Sequence, residues 1–254
     1  MIPIKTAAQI KAMRAACQTA ASILGRLAGM VQPGITTGEV DREAGRLIAD
    51  AGCRSAFLGY HGFPGQICIS VNEEVVHGIG GGRRIAYGDI VKLDVGVVRD
   101  GWVGDNAITV PAGAIPAATA RLLQVTEDSL LQAIPLVREG NRLGDVCAAI
   151  ERVVTTAGMS VVREFVGHGV GRKLHEEPQI PNFGKRGTGP RLKAGMTLAI
   201  EPMVNLGGAA VRILSDDWTV VTADGSPSAH FEHTVLVTKG EPEILTLREA
   251  CAVA

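Results

Sequence analysis

The chain has 254 residues, 46% hydrophobic and 20% charged, and its formal net charge is −1 at pH 7. This length and apolar content support a sizeable buried core, while the balanced, interspersed charge argues against nucleic acid or an anionic membrane surface as the main partner. No apolar run approaches the roughly 20 residues of a membrane span, and none near the N-terminus has signal-peptide length, so we expect no membrane association.

Four helices are predicted from apolar spacing and capping signals. Thr6 and Gln9 form a capping-box pattern, after which apolar residues recur at helical spacing as far as Gln32-Pro33-Gly34. Thr37 is the predicted cap of a second helix, which stops at Gly52. The remaining patterns are helical over 116–137 and 144–157, and strand-like over 55–58, 66–71, 107–110, 160–166, 196–200, 209–214, 219–222 and 231–237.

A β-hairpin is predicted around Asp100-Gly101, because this pair stands between two apolar runs. Asp94 lies in one arm and Asp105 in the other. If Arg99-Asp100 forms the two-residue loop, the two carboxylates lie directly opposite; if Asp100-Gly101 forms it, they are diagonal neighbours on one face. Like charges at this separation repel, so both registers predict a positive group between them, such as a metal ion. The alternative is a bulge at Asp105 that leaves Asp94 in solvent.

The second helix pair repeats the first at an offset of 106 residues. The matched pairs are Val31 with Val137, Gly34 with Gly140, Gly38 with Gly144, Val40 with Val146, Ala51 with Ala157 and Gly52 with Gly158. Two copies are too few for a solenoid, so we interpret residues 1–254 as one domain made of two similar halves, about 1–110 and 111–254. A site between such halves would draw residues from both. Chance recurrence of helix-loop-helix punctuation is the alternative.

Three residues of the second half could join the acidic pair. His168 ends a strand-like run and is flanked by glycines, which let the backbone approach a ligand closely. Glu201 follows an apolar run, and Glu232 lies inside an apolar strand-like stretch, where a glutamate without a partner is costly. Singly, each has an ordinary interpretation: a satisfied loop histidine, a salt-bridge member and an exposed strand residue. Together with Asp94 and Asp105 they favour one shared buried site.

This set of four carboxylates and one imidazole suits a pair of divalent ions, with two of the carboxylates bridging. Such a site activates water near neutral pH and polarises a substrate carbonyl. Manganese, iron, cobalt and zinc all fit the set, and the sequence does not distinguish them. His77 and His175 remain as candidate substrate contacts, or as structural hydrogen-bond partners.

Several stretches resemble the type I methionine aminopeptidases, which belong to the metal-dependent pita-bread peptidases. They are residues 59–64 (GYHGFP), 67–78 (ICISVNEEVVHG), 167–178 (GHGVGRKLHEEP), 200–203 (IEPM) and 231–234 (FEHT). The resemblance covers nearly the whole chain. It implies a pita-bread fold of the α/β (α+β) class, in which a duplicated helix pair and antiparallel sheet halves surround a central metal site. The repeat described above agrees with this expectation.

The resemblance assigns a role to each candidate metal ligand. Asp94 would hold one ion terminally, Asp105 and Glu232 would bridge the two ions, and His168 and Glu201 would complete the second.

Four further roles concern the substrate. Glu201 would also move the proton of the attacking water. His175 would stabilise the tetrahedral intermediate, and His77 would contact the scissile amide. The residues implied for the methionine side-chain pocket are Tyr60, Phe63, Cys68 and Trp218.

The implied activity is removal of the initiator methionine from nascent polypeptides whose second residue is small, with the ribosome as one place of encounter. A cytoplasmic monomer is expected, and the five scattered cysteines, without a Cys-x-x-Cys pair, fit a reducing compartment. Two alternatives stay open: a Xaa-Pro peptidase of the same fold, and a non-catalytic relative. The short stretch before Asp94 leaves little room for the additional N-terminal domain of the Xaa-Pro enzymes, and a dead site would have lost ligands.

Some positions depart from the family pattern without removing a ligand. They are Phe57, Gly80, Val103, Asn106, Leu174 and His230. Val103, Asn106 and His230 stand beside ligands in sequence and are expected to affect ligand orientation. Phe57 and Leu174 are expected to alter the shape of the side-chain pocket.

Overall fold

A computed structural model describes residues 1–247, and Cys251 lies outside the described residues. The helices are α1 (Ala7–Ala28), α2 (Thr37–Asp50), α3 (Ala117–Ala133) and α4 (Leu143–Thr156). The strands before α3 are β1 (Arg54–Ser55), β2 (Cys68–Val71), β3 (Glu74–Val76), β4 (Ile90–Arg99) and β5 (Trp102–Pro111). The strands after α4 are β6 (Ser160–Val161), β7 (Gly167–Gly169), β8 (Glu176–Ile180), β9 (Thr197–Ile200), β10 (Met203–Asn205), β11 (Val211–Ile213), β12 (Val220–Thr222), β13 (Ser228–His230), β14 (His233–Leu236) and β15 (Glu243–Ile244).

The paired strands are antiparallel throughout. In the first half, β4 pairs with β1, β2 and β5, and in the second half β15-β14-β9-β7-β8 form a five-stranded sheet. Two three-stranded sheets, β13-β10-β6 and β11-β12-β3, complete the set. This mixture of helices and antiparallel sheets confirms the predicted α+β class.

Helix α1 lies across the β4–β5 hairpin. It begins with the predicted capping box: Thr6 Oγ1 accepts the N–H of Gln9 at 3.4 Å, and the Gln9 side chain accepts the N–H of Thr6 at 2.9 Å. The predicted apolar face is buried, with Met13 and Cys17 both fully covered. A Cβ added at Gly104 in β5 would lie 2.4 Å from the carbonyl of Ala16, so only glycine permits this close contact.

The cap of α2 is Thr36, and the prediction of Thr37 was wrong by one residue. Thr36 Oγ1 accepts the N–H of Glu39 at 3.1 Å, and the Glu39 carboxylate accepts the N–H of Thr36 at 2.7 Å. A capping box needs its acidic residue three positions after the cap, and Glu39 stands at that distance from Thr36 only.

Several predicted elements are shorter in the structure. The strand predicted at 55–58 ends at Ser55, because its hydroxyl accepts the N–H groups of Phe57 and Leu58 at 2.9 Å each and turns the chain. The strand predicted at 160–166 ends at Val161. Helix α3 ends at Ala133 and continues as a 3-10 turn through Pro135, which has no N–H to extend the α-helix.

The two halves correspond closely. Helices α2 and α4 begin at residues 37 and 143 and end at 50 and 156, so both ends differ by the offset of 106 found in the sequence. Gly34 and Gly140 have φ of 98° and 93°, and Gly52 and Gly158 have φ of 67° and 78°. A left-handed glycine therefore precedes and follows both α2 and α4 at matching positions. Only glycine adopts this backbone conformation without strain.

Each half supplies most of one apolar cluster, and a third cluster draws its residues from both halves. The first-half core joins α1, α2 and the β2–β4 pair, and the second-half core joins α3, α4 and the sheet around β9. The intermediate cluster includes Phe57, Phe63, Cys68, Leu174 and Ala199, which come from both halves. Among residues 1–247, no helix combines the length and the apolar character needed to cross a bilayer.

Candidate active site

The β4–β5 hairpin turns at Asp100-Gly101, where φ is 51° and 76°. Two-residue turns with positive φ at both positions match the right-handed twist of the flanking strands. Arg99 pairs with Trp102, which gives the second of the two registers considered from the sequence. Asp105 consequently lies opposite Gly96 and is a diagonal neighbour of Asp94 on the same face. The bulge alternative for Asp105 is wrong, because the ladder runs unbroken from residue 90 to residue 111.

The second half supplies three side chains to this face. His168 is the middle residue of β7, not its end, and Glu201 directly follows β9. Glu232 precedes β14 instead of lying inside a strand, and its N–H donates to the carbonyl of Ala107 in β5 at 3.0 Å. Thr234 Oγ1 donates to the carbonyl of Asp105 at 2.8 Å. These two bonds attach the start of β14 to the hairpin.

The glycines beside His168 serve strand packing. A Cβ at Gly167 would lie 2.5 Å from the carbonyl oxygen of Ala199, and one at Gly169 would lie 2.2 Å from that of Glu177. These glycines let β8 and β9 approach β7 closely, and Gly167 also lines the open cleft beside His168. The expectation that they let the backbone approach a ligand stays a prediction. His168 Nδ1 lies 3.0 Å from the carbonyl of Gly169, so an Nδ1–H bond to this oxygen leaves Nε2 free to accept.

The five candidate ligands converge. One ligand atom each of Asp105, His168 and Glu232 lie within 4.8 Å of one another. His168 Nε2 is 3.5 Å from Glu201 Oε1. Buried oxygens of Asp94, Asp105 and Glu232 have no hydrogen-bond partner among the described residues. Carboxylates from both halves thus meet in one place with unused oxygen atoms.

The electrostatics of this cluster are unfavourable for the protein by itself. Burial, reinforced by the Asp105 carboxylate, raises the pKa of Asp94 well above its usual range, and burial raises the pKa of Asp105 to about 7. Burial and the neighbouring aspartates likewise raise the pKa of Glu201 and of Glu232. Burial lowers the pKa of His168 to about 3, so the ring is neutral and can act as a ligand.

A divalent metal fits these residues. Buried carboxylate oxygens without partners are costly unless a cation or hydrogen-bond donor completes them, and oxygen with imidazole nitrogen is a common donor set for divalent transition metals.

All the predicted site residues line one cavity of about 110 Å³. Its walls include the five candidate ligands together with His77, His175, Tyr60, Phe63, Cys68 and Trp218, and Phe57 and Leu174 as well. The rings of Phe63 and Trp218 lie edge to face with centroids 5.1 Å apart. The cavity is therefore lined both by carboxylates and by apolar aromatic rings. An open cleft of about 690 Å³ shares His77, His168, His175 and Glu201 with it.

Two histidines lie between this cavity and the cleft. The ring of His175 contacts that of His168 with centroids 4.3 Å apart, and its Nδ1 lies 2.7 Å from the Tyr60 hydroxyl. Burial and the nearby His61 lower the pKa of His175. His77 has a left-handed backbone with φ of 61°, and burial with the nearby His175 lowers its pKa to about 4. Strained, non-glycine backbone of this kind is frequent at functional sites.

Some contacts of the site were not found from the sequence. His230 Nε2 lies 3.5 Å from Glu201 Oε2. The only sequence signal for this contact is that residue 230 departs from the family pattern. Glu176, beside His175, is paired with Lys5 at 2.7 Å. The two residues are 171 positions apart, so no local pattern links them.

The comparison with known proteins agrees with this geometry. Residues 11–239 match metallopeptidase family M24. The chain is 48% identical over 246 residues to methionine aminopeptidase 1 of Bacillus subtilis (strain 168), which covers 97% of this chain and 99% of that one. It is 45% identical over 250 residues to methionine aminopeptidase of Escherichia coli (strain K12). This match covers 98% of this chain and 95% of that one.

Solved structures extend the similarity to the fold. Methionine aminopeptidase from Rickettsia prowazekii has a TM-score of 0.96 at 42% identity, covering 97% of this chain and all of that one. Prolidase from Pyrococcus furiosus shares the fold at a TM-score of 0.80 and 22% identity, with 66% of its own length covered. The chain therefore belongs to metallopeptidase family M24, and within that family to the methionine aminopeptidases.

Proposed function

We propose that this protein removes the N-terminal methionine from polypeptides whose second residue is small. One observation carries the proposal: the candidate metal ligands and a set of aromatic, apolar side chains line a single cavity. Such a cavity suits a substrate that presents an apolar side chain next to a peptide bond. The continuous cleft offers room for the rest of the polypeptide.

The metal-binding part of the proposal concerns two divalent ions. Asp94, Asp105, His168, Glu201 and Glu232 would hold them, with Asp105 and Glu232 shared. When bound, the ions supply an activated water and polarise the scissile carbonyl. Two ions are favoured by the excess of carboxylates, since one ion would leave buried charge uncompensated. Manganese, iron, cobalt or zinc would suit the donors.

The remaining residues bind the substrate and move protons. Glu201, at the junction of cavity and cleft, would take the proton of the attacking water and return it to the leaving amine. His175 would donate to the carbonyl oxygen as negative charge develops there, and His77 would contact the scissile amide. Tyr60, Phe63, Cys68 and Trp218 would enclose the methionine side chain.

Turnover of a Met-Ala-Ser peptide tests this proposal. The protein is stripped of metal, reloaded separately with Mn, Fe, Co or Zn, and assayed beside an Ala-Pro peptide. Release of methionine by at least one metal form, and none by the stripped protein, is the expected result. Preferential cleavage of Ala-Pro would favour the Xaa-Pro alternative, and inactivity of every metal form would favour a binding protein.

We extend the proposal to the cell: a cytoplasmic monomer that acts on nascent polypeptides, including those still on the ribosome. The four buried or half-buried free cysteines of the described residues are compatible with a reducing compartment. Sedimentation of cell extracts, with and without ribosomes, tests both the monomer and the ribosome association.

A further inference from the structure

Residues 171–176, here called the His175 loop, run from the connection after β7 to the first residue of β8 and include His175, which lines the cavity. Its first residue is attached to the β4–β5 hairpin, because the Gly171 carbonyl accepts the N–H of Val103 at 2.8 Å. The Arg172 guanidinium lies 4.3 Å from the centre of the Trp102 ring. One end of the loop is therefore fixed to the hairpin that carries the two aspartates, and the other end depends on Glu176.

The Glu176 carboxylate accepts hydrogen bonds from the backbone of the His175 loop. Its Oε1 accepts the N–H of Arg172 at 2.9 Å and the N–H of Lys173 at 3.4 Å. A Cβ at Gly171 would lie 2.5 Å from this oxygen, so the carboxylate occupies the space beside the glycine. These bonds define the path of the chain immediately before His175.

The other oxygen of Glu176 is held by the N-terminal segment. Lys5 Nζ donates to Glu176 Oε2 at 2.7 Å, and only 4% of the Lys5 side chain and 10% of the Glu176 side chain are exposed. Lys5 is itself fixed, because its backbone N–H donates to the carbonyl of Gly195 at 2.8 Å. A carboxylate buried to this degree is strongly disfavoured when its counter-charge is removed.

We propose that Lys5 is a positioning residue, which acts through Glu176 on the orientation of His175. Lys5 is absent from the lining of both the cavity and the cleft, so it does not act by touching substrate. Without it, Glu176 turns towards water, the two loop N–H bonds are lost, and His175 leaves its place against His168. The inference rests on the proposed function and adds a residue to it.

Kinetics on Met-Ala-Ser separate this role from a purely structural one. Lys5→Met keeps the length of the side chain without its charge, and it is expected to lower kcat about tenfold with KM changed less than about twofold. Lys5→Arg is expected to restore most of the rate. In a His175→Ala background, Lys5→Met is expected to lower kcat no further, because both changes remove the same contribution.

The matched control is Arg14→Met. Arg14 makes an equally short, long-range pair with Glu243 at 2.7 Å, away from the His175 loop. This variant is expected to keep the kcat of the parent protein. If it loses as much rate as Lys5→Met, the loss reflects general weakening of the fold, and the positioning role is wrong.

Amide hydrogen exchange supplies a readout that does not depend on the substrate. The N–H groups of Arg172 and Lys173 are expected to exchange at least about tenfold faster in Lys5→Met and at the parent rate in Arg14→Met. Unchanged exchange in folded Lys5→Met, or an undiminished kcat loss in the His175→Ala background, would overturn the inference. An inactive parent enzyme would overturn the proposed function, while the exchange rates would still show whether Lys5 holds the loop.

A second variant covers the case in which Lys5→Met does not fold. Lys5→Met combined with Glu176→Met replaces the whole buried pair with apolar side chains, which proteins often tolerate. The same fall in kcat is expected, because the loop has lost its internal carboxylate. Parent-like kcat in this double variant would show that the pair does not position His175.

Discussion

The Tyr60 hydroxyl lies 2.7 Å from Nδ1 of His175, across an aromatic contact with ring centroids 5.3 Å apart. Because burial and His61 lower the pKa of His175, its ring is neutral near pH 7, and its two nitrogens differ. A hydroxyl that donates to Nδ1 leaves the ring proton on Nε2, whereas an Nδ1–H that donates to the hydroxyl leaves Nε2 without a proton. We expect the first arrangement, in which Tyr60 favours the tautomer of His175 that can donate from Nε2.

Tyr60→Phe is expected to lower kcat about tenfold, the rate equivalent of one hydrogen bond of about 1–1.5 kcal/mol, with little change in KM. The phenyl ring keeps the apolar wall, so the loss isolates the hydroxyl. Steady-state kinetics on Met-Ala-Ser measure both constants. A rise in KM at constant kcat would instead mean that the hydroxyl binds substrate.

Asp105→Asn is expected to lower turnover more than about 100-fold and to weaken metal binding, since it removes the charge of a ligand that we propose is shared by two ions. The fold should persist, because one of several mutually repelling carboxylates has gone. Metal content by mass spectrometry, turnover and circular dichroism provide the measurements. Asp145→Asn, which weakens a helix-capping carboxylate far from the cluster, should keep its metal. Near-normal turnover by metallated Asp105→Asn would contradict the two-ion assignment.

His175→Ala is expected to lower kcat about 10²–10³-fold while metal content stays near that of the parent protein, because a donor to the developing oxyanion acts on the transition state. Parallel metal analysis and kinetics check this. Arg14→Met is the control, since Arg14 pairs with Glu243 and lines neither the cavity nor the cleft. Loss of metal from His175→Ala would make His175 a ligand.

Gly104→Ala is expected to reduce the free energy of unfolding by about 1–3 kcal/mol, because the added Cβ would overlap the backbone of α1 at Ala16. Gly82→Ala, where a Cβ meets nothing within 4 Å, should change it by less than about 0.5 kcal/mol. Urea denaturation of the metal-free proteins compares them. Equal effects would show that α1 can move away from the hairpin.

The final prediction concerns the substrate. Burial of a side chain of methionine size contributes about 1.5–3 kcal/mol, which rejects small or charged first residues but not norleucine. Met-Ala, Met-Gly and Met-Ser peptides should be cleaved, and Met-Ile and Met-Leu peptides should not. Methionine release from this peptide series, including peptides that begin Met-Ile, checks the prediction. Efficient cleavage of Met-Ile would remove the small-residue rule.

Local chemistry in the sequence determined much of this protein. The capping box at Thr6, the turn at Asp100-Gly101 and the glycines that flank α2 and α4 each depend on residues only a few positions apart, and the structure has all of them. The choice between the two hairpin registers was left open, because both fit the same residues. Short strands such as β1 and β6 were overestimated, because apolar composition does not show where a side chain such as Ser55 ends the pairing.

Only the tertiary structure decided how distant residues meet. The convergence of Asp105 with His168 and Glu232 depends on bonds between β5 and the start of β14, more than a hundred residues later in the chain. The pairs Tyr60–His175 and Lys5–Glu176 depend in the same way on the packing of both halves around one cavity. Sequence patterns report local hydrogen bonding and apolar spacing, whereas long-range side-chain contacts follow from how the cores pack together.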